Sequence, residues 1–580
     1  MSKNIFKGLL LMAGIALGGS SFAQNGNSGN GQIHGSTQID AQIYQADKNI
    51  GIDSLKDGKK FGINGYTDLV YTKGNFSAGM RFEAYLPPLN GFENNYDGVG
   101  IPYRWAKYTS DQFEITAGNF YEQFGSGLVL RSYQEWNLGI DNSIDGGRII
   151  VRPIKGVSIT GVYGVQRNFW VKYENQNRGI VRGADADINI NSLLDLNIPL
   201  QINLGASFVS RFQKDNDQIY KLPENVGAGA ARINLAYNGF DFYTEYAKKG
   251  QDPSAINNYI YHEGEALYST LSYSTRGLGA MLQFKRLDNF SFKSDRGVTG
   301  QALDINYLPA ISKQQTYALA TLFPYATQPN GEIGYSAQIS YKFKRKTLLG
   351  GKYGTLVSID YSKVNDIQRT PIEGDNPLKA HTNNYTSDFF AAGKFLYETL
   401  NAEISKKFSR KFKTTLSYLY VKDNISFVEQ HPGEPDIEQH AGIIDMTYKF
   451  NNNTSLHWEL QHAFVNDPRT FANHTVTANN EEEVENGERA YQGRRGNWAG
   501  ALAEINYKDF FFAAMDQYNY ENNKTDFENH YYTFSAGYTH NTSRIALSYG
   551  RQREGLLCIG GVCRQVPAAS GYSISITTSF

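Results

Sequence analysis

Two cysteines, Cys558 and Cys563, carry the most definite chemistry in this chain. The segment between them contains Gly560 and Gly561, whose conformational freedom lets the backbone reverse. In an exported chain, two cysteines this close indicate a disulfide. A metal site would need further ligands, and none cluster beside them in the sequence. We therefore expect a disulfide that staples a loop and has a structural role.

The ten histidines are scattered along the chain. His457 and His462 are five residues apart on a predicted strand, so they point to opposite faces of it. The densest group of histidines and acids, 431–440, and the acidic run 481–485 are predicted to be solvated loops. A bound hard cation in either loop is the alternative. We predict no metal ion and no cofactor.

The sequence contains no G-x-S-x-G elbow and no other organised nucleophile, so we predict no catalytic residues. Some membrane phospholipases and proteases assemble their sites from residues far apart in sequence, which leaves an enzyme as the alternative. The net charge of -1 gives no global basic field, so nucleic acid is not an expected partner.

The last ten residues, 571–580, alternate in polarity as an amphipathic strand does. The apolar face carries Tyr572, Ile574, Ile576 and the terminal Phe580, and serines alternate on the other face. A strand of this kind that ends on an aromatic residue is typical of outer-membrane β-barrels. In that class it closes the barrel and is read by the barrel-assembly machinery, so that machinery and outer-membrane lipid are the expected partners.

The first 23 residues have the pattern of a signal peptide. Lys3 and Lys7 precede an apolar run at 8–17, which is too short to span a bilayer. Small residues then predict cleavage between Ala23 and Gln24, with export to the outer membrane. A retained membrane anchor is the alternative. We expect a short flexible tail at 24–30 and a single barrel domain at 31–580.

Composition favours a barrel over a soluble secreted protein. The chain has 40 Tyr and 34 Phe, and after residue 24 no stretch approaches the roughly 20 apolar residues of a spanning helix. Its mean hydropathy of -0.47 suits strands that face water on one side. A soluble propeller or tandem sandwich is the alternative, but no repeat of fixed period is visible.

Eleven tight turns alternate with twelve long segments, which predicts an all-β, antiparallel up-and-down transmembrane barrel of about 24 strands, within a range of 20–26. The turns contain Gly74, Asp111, Gly156, 195–199, Gly239, Gly277, 344–351, Arg410, Asn452, Asp509 and Thr542. The long loops are 46–59, 87–101, 121–145, 167–181, 214–225, 250–263, 288–330, 366–385, 426–439, 465–494, 521–529 and 553–567. With a periplasmic N-terminus, the long loops lie outside the cell and the short turns inside.

Two of the long loops are too apolar for solvated tips. The candidate cap or constriction residues in loops 121–145 and 288–330 are Phe124, Leu128, Leu130, Phe323 and Tyr325. A barrel of this size encloses a lumen wider than side chains can fill. We expect both loops to fold inward or to cap the mouth; the alternative is packing of the loops against each other above the rim.

Four segments carry a family resemblance. They are Phe120–Leu128, Glu245-Tyr246-Ala247 with Asp252-Pro253, Phe323–Gln328 and Gly560–Pro567. Together they resemble an uncharacterised family of Bacteroidota outer-membrane β-barrel proteins, a domain of unknown function that covers nearly the whole mature chain. The resemblance implies fold and location, and it supplies no reaction or site residues.

Two functions fit these features. The first is a porin-like channel or transporter for small to medium solutes, gated by infolded loops. The alternative is a non-enzymatic interaction protein, which means a scaffold, an adhesin or an accessory subunit of an outer-membrane complex. A TonB-coupled receptor is disfavoured, because such receptors carry a globular plug domain before the first strand and strand one here begins near Gly31.

Overall fold

The computed structural model describes residues 31–52, 55, 58–170, 178–372, 385–429, 435–466, 493–522, 527–559 and 562–580. The predicted signal peptide, its cleavage site at Ala23 and Gln24, and the tail 24–30 lie outside these residues. Among the described residues, no helix has the length and apolar character needed to cross a bilayer.

The described chain forms one closed sheet of 24 antiparallel strands. Consecutive strands pair throughout, and β1 closes the ring by pairing with β24 from Ser36↔Ser579 to Tyr44↔Gly571. The strands are Gln32–Tyr44 (β1), Phe61–Lys73 (β2), Phe76–Tyr85 (β3), Gly98–Thr109 (β4), Phe113–Phe120 (β5), Ile144–Val151 (β6), Val157–Gln166 (β7), Ile180–Asn189 (β8), Gln201–Phe212 (β9), Asn225–Tyr237 (β10), Phe240–Lys249 (β11), Gly264–Thr275 (β12), Leu278–Asp288 (β13), Gly331–Phe343 (β14), Thr355–Pro371 (β15), Tyr385–Lys407 (β16), Phe412–Asp423 (β17), Ile437–Lys449 (β18), Thr454–Asn466 (β19), Asn497–Tyr507 (β20), Phe510–Tyr520 (β21), His530–His540 (β22), Ser543–Gln552 (β23) and Ala569–Ser579 (β24). The predicted barrel and its strand count are confirmed. Closure leaves no strand edge unpaired in hydrocarbon.

The remaining elements in the described residues are short. Two one-turn α-helices, Ile190–Leu193 and Ile425–Val428, and five 3₁₀ turns lie in the connections. The 3₁₀ turns are Lys48–Ile50, Asn94–Tyr96, Trp136–Leu138, Ala255–Asn257 and Ala318–Thr321. Two small hairpins pair Gln134–Glu135 with Ile140–Asp141, and Gly555–Ile559 with Val562–Val566.

The short turns connect the strands at one end of the barrel, and the long loops lie at the other end, as predicted. One predicted loop, 366–385, is shorter than expected, because β15 continues to Pro371 and β16 begins at Tyr385. The pairing of these two strands has register shifts between Val364 and Arg369. Where two strands continue past the rest of the barrel, they need only backbone hydrogen bonds to pair. The polar sequence of this region therefore does not show that the two strands are longer than predicted.

Apolar side chains alternate with polar ones along the strands and cover the outer face. Leu282, Leu460 and Phe534 are 55%, 50% and 56% exposed, as expected for residues that face lipid. The next residue after Leu282, Gln283, faces inward and accepts a hydrogen bond from the Ser336 hydroxyl at 2.8 Å. Outward apolar and inward polar residues are the arrangement that a membrane barrel requires.

The C-terminal strand follows this arrangement. Tyr572, Ile574 and Ile576 pair with Ile43, Ala41 and Ile39 on the apolar side of β1. Phe580 exchanges backbone hydrogen bonds with Gly35 at 2.9 Å in both directions. A Cβ at Gly35 would lie 2.3 Å from the Phe580 ring, so the absence of a side chain there makes room for the terminal aromatic residue.

A charge on the outer face is expected to destabilise the barrel. Leu282→Arg would place a guanidinium near the middle of β13 on the lipid side, and we expect it to lower the free energy of unfolding by about 2–4 kcal/mol. The matched control is Gln283→Arg, which points into the lumen and should cost less than half as much. Denaturant titration in lipid vesicles measures both; equal losses would contradict the assignment of the two faces.

Candidate functional site

The long loop after β5, residues 121–143, packs inside the barrel. Its Phe124, Leu128 and Leu130 are at most 1% exposed. They join a cluster with inward-facing residues of β7 to β13, which include Val181 and Val209. These three residues of the predicted constriction therefore lie in the lumen against the wall, and the loop does not pack above the rim.

A glycine turn fixes this loop to the wall. Gly125 and Gly127 both have positive φ, 54° and 98°, and a Cβ at Gly125 would lie 2.6 Å from the carboxylate of Glu245 on β11. The Ser126 backbone N–H and hydroxyl donate to that carboxylate at 2.7 and 2.6 Å. Two of the segments that carry the family resemblance, Phe120–Leu128 and Glu245-Tyr246-Ala247, thus contact each other.

The loop between β13 and β14, residues 289–330, also enters the lumen, and we call it the plug loop. Its first part places Phe290, Phe292 and Ile305 in the same inner cluster. Backbone hydrogen bonds join it to the preceding infolded loop, from Arg131 N–H to Ile305 O at 2.8 Å and from Tyr307 N–H to Gly127 O at 2.9 Å.

The second part of the plug loop packs against the opposite wall. A second inner cluster contains Leu319, Leu322, Phe323 and Tyr325 of the loop, with Val421 of β17, Ala441 of β18 and Trp498 of β20. The Gln439 side chain donates to Leu319 O at 2.7 Å, and the Tyr397 hydroxyl donates to Phe323 O at 3.1 Å. The plug loop therefore bridges the lumen from one wall to the other.

A fully buried ion cluster holds the first infolded loop. Asp141 of this loop and Glu83 of β3 lie between two arginines, Arg81 of β3 and Arg167 after β7. Arg167 contacts Asp141 at 2.5 Å and Glu83 at 2.7 Å, and all four side chains are at most 2% exposed. Burial by itself would raise the pKa of Asp141, but the charges of Arg167 and Arg81 hold that pKa below its usual value.

A second ion cluster ties the plug loop to the wall. Asp252 contacts Arg211 at 2.7 Å and Lys249 at 3.3 Å. Arg211 also donates to the carbonyl of Lys293 in the plug loop at 3.0 Å. Burial opposes ionisation of Asp252, but Arg211 and Lys249 keep its pKa below the usual value. A charged wall residue thus anchors the backbone of the plug loop.

A cavity of about 740 Å³ remains between the plug loop and the inner wall formed by β1, β2, β23 and β24. Its polar lining includes Gln38, Asp40, Gln42, Asn64, Gln314, Gln315, Ser548, Gln552, Ser573 and Ser575. Phe323 and Tyr325 of the plug loop also border it. An adjoining cavity of about 360 Å³ shares Gln42, Thr321 and Gln552 with the larger one.

Arginines from the last long loop line the same cavity. Burial and the charge of Arg494 lower the pKa of Arg553 to about 10, so this guanidinium remains charged at neutral pH. Arg564 donates to Gly91 O at 2.7 Å, and its guanidinium lies 4.5 Å from the centre of the Phe92 ring. The cavity therefore presents amides, hydroxyls and cationic groups together.

The predicted disulfide is present. Cys558 and Cys563 are bonded, with an S–S distance of 1.92 Å, across the small hairpin over the cavity. Gly560 and Gly561 at its tip lie outside the described residues. The cross-link holds the hairpin whose Arg564 borders the cavity.

The two predicted loops that were candidates for a bound cation lie partly or wholly outside the described residues. Residues 430–434 and the acidic run 481–485 lie outside the described residues, so the alternative of a bound cation there stays open. His440, the last residue of the predicted group 431–440, lies on β18, where its ring nitrogen is 2.8 Å from the Tyr418 hydroxyl. His457 and His462 lie on opposite faces of β19, as predicted.

The sequence predicted no metal ligands, yet the structure brings Asp445, His457 and Glu459 together on the inner wall. His457 and Glu459 are two residues apart on β19, so their shared face follows from strand alternation alone. Asp445 lies on the neighbouring strand β18, opposite Glu459. Strand register cannot be read from the chain, and for this reason sequence reasoning missed the cluster.

Several solved barrels are similar in architecture. The siderophore receptor PirA from Pseudomonas aeruginosa is 11% identical, over 94% of this chain and 80% of that one, with a TM-score of 0.39. OccK3 of the same organism is 11% identical, over 75% of this chain and 96% of that one, with a TM-score of 0.35. The P pilus usher PapC is 8% identical, over 94% of this chain and 99% of that one, with a TM-score of 0.40. At this level of similarity, nothing about what this chain binds or transports follows from these structures.

No curated protein matches the chain. The resemblance noted from the sequence is confirmed at the level of the family, and its restriction to Bacteroidota stays a prediction. A family model described as a family of unknown function, DUF6029, matches residues 1–580, and the chain therefore belongs to that family.

Proposed function

We propose that this protein is an outer-membrane channel or transporter for small to medium hydrophilic solutes, with a lumen narrowed by its infolded loops. The observation that carries the proposal is the cavity of about 740 Å³ between the plug loop and the wall. This volume lies within the roughly 300–1,000 Å³ of sites that hold small molecules. A lining rich in amides and hydroxyls favours polar solutes over apolar ones.

The loops narrow the passage by occupying the lumen. Phe124, Leu128 and Leu130 anchor the first loop by burial, whereas Phe323 and Tyr325 anchor the plug loop and also border the remaining cavity. The three residues of the first loop do not border the cavity, so they narrow the passage through the backbone that they hold in place. The passage thus depends on where the anchored plug loop lies.

We further propose that a signal peptide cleaved after Ala23 directs export, and that the barrel-assembly machinery recognises Tyr572, Ile574, Ile576 and Phe580 on the last strand. Outer-membrane lipid then surrounds the apolar outer face. No catalytic residue and no cofactor is part of this proposal, in which the protein acts by passage of a solute.

Reconstitution of the purified chain into planar bilayers tests the proposal. We expect discrete conductance steps, and vesicles that contain the protein should swell in neutral sugars at rates that fall with solute size. Heat-unfolded protein is the control. A sealed, silent barrel would contradict transport, and a stoichiometric partner that co-purifies with it would support a scaffold, an adhesin or an accessory subunit instead.

A further inference from the structure

Three potential ligand atoms meet on the inner wall, in the half of the barrel nearest the short turns. His457 Nε2 lies 3.3 Å from Asp445 Oδ1 and 3.4 Å from Glu459 Oε1, and one potential ligand atom from each of the three residues lies within 4.8 Å of the other two. Leu460, which follows Glu459, is 50% exposed on the outer face, so His457 and Glu459 point into the lumen.

The two distances from His457 suit a small divalent ion. A tetrahedral ion with bonds of about 2.0–2.2 Å holds its ligands about 3.3–3.6 Å apart. One imidazole with two carboxylates favours Zn²⁺ and similar transition metals, since Ca²⁺ and Mg²⁺ prefer oxygen ligands alone. The side chains of Asp445, His457 and Glu459 are 25%, 28% and 14% exposed, so an ion can reach them from the lumen.

The plug loop orients both carboxylates. The Tyr317 hydroxyl donates to Asp445 Oδ2 at 3.1 Å, which leaves Oδ1 directed toward the histidine. On the other side, Gln461 donates to Glu459 Oε2 at 2.8 Å, and it accepts the Leu319 N–H at 3.0 Å. Metal ligands are commonly held by hydrogen bonds of this kind, which fix the second oxygen and leave the first for the ion.

We propose that Asp445, His457 and Glu459 form a binding site for one divalent transition-metal ion of the Zn²⁺ class. Tyr317 and Gln461 position the ligands, and the bound ion links the barrel wall to the plug loop through them. The proposal rests on ligand geometry and does not depend on whether the barrel conducts.

Calorimetric titration of the full-length protein in detergent with ZnCl₂, after treatment with a chelator, tests the site. We expect one high-affinity Zn²⁺ per chain. His457→Ala should lose at least about 100-fold in affinity, and the isosteric Asp445→Asn should also bind more weakly, which covers the case in which His457→Ala fails to fold. Tyr317→Phe should weaken binding about tenfold, since it removes only an orienting hydrogen bond.

His530→Ala is the matched control. His530 pairs with a single carboxylate, Asp516, at 2.7 Å, and we expect its replacement to leave the Zn²⁺ affinity unchanged. The proposal is overturned if the wild-type chain shows no saturable Zn²⁺ site. It is also overturned if His457→Ala and Asp445→Asn bind as the wild type does, because the three residues would then be only a hydrogen-bonded ion pair network.

Discussion

Removal of the plug loop is expected to raise the single-channel conductance at least about threefold, since barrels of this size leave an aqueous channel when nothing fills them. The base of the loop permits the deletion. Phe290 N–H donates to Pro329 O at 2.8 Å, so these two residues are already neighbours. Replacement of 292–327 by a Gly-Ser linker of about four residues would convert the loop into a short hairpin connection.

The control for this variant is a deletion within a loop that is exposed. In the loop after β9, Ile219 is 80% exposed, and the loop base is closed by Gln213 N–H donating to Glu224 O at 2.9 Å. Deletion of 216–220 should leave the conductance of the barrel unchanged. Heat-modifiable migration on gels shows that each variant is folded. A folded plug-loop deletion with wild-type conductance would show that the loop does not narrow the passage.

Loss of one buried arginine should strongly destabilise the barrel, because it leaves two buried carboxylates without one of the two arginines that contact them. Arg167→Met would remove the arginine that contacts both Glu83 and Asp141, and we expect the free energy of unfolding to fall by about 3–5 kcal/mol. Denaturant titration in lipid vesicles measures the loss, and limited proteolysis should show faster cleavage in the loop 121–143.

An exposed pair in the short turns provides the control. Lys155 contacts Asp195 at 2.6 Å, and both side chains are more than 70% exposed, so Lys155→Met should change the free energy of unfolding far less than Arg167→Met. Similar losses in the two variants would mean that the buried cluster contributes nothing beyond a surface pair.

The same cluster predicts a pH dependence. The folded pKa of Asp141 is below its unfolded value of about 3.9, so its contribution to stability is complete above that pH and is lost as pH falls through the folded pKa. The difference in unfolding free energy between wild type and Asp141→Asn should therefore narrow as pH falls below about 4. A difference that stays constant with pH would rule out an ionised Asp141 in the folded protein.

The chain by itself determined the membrane architecture. Alternation of apolar and polar residues, as in Tyr572, Ile574 and Ile576, is a local property, because a strand turns successive side chains to opposite faces wherever it pairs. Turn residues such as Gly239 and Asn452 likewise mark the short connections through their own backbone preferences. The strand count, the placement of the long loops at one end of the barrel and the apolar outer face all follow from such short-range patterns.

Tertiary structure decided what fills the barrel. The apolar sequence of the plug loop indicated burial, but it did not distinguish the lumen from the space above the rim. The contact of Ser126 with Glu245, and that of Arg167 with Glu83, join residues more than 80 positions apart in the chain. The Asp445–His457–Glu459 cluster needs the register of β18 against β19. Long-range contacts of this kind arise from barrel closure and strand register, which no local pattern in the chain encodes.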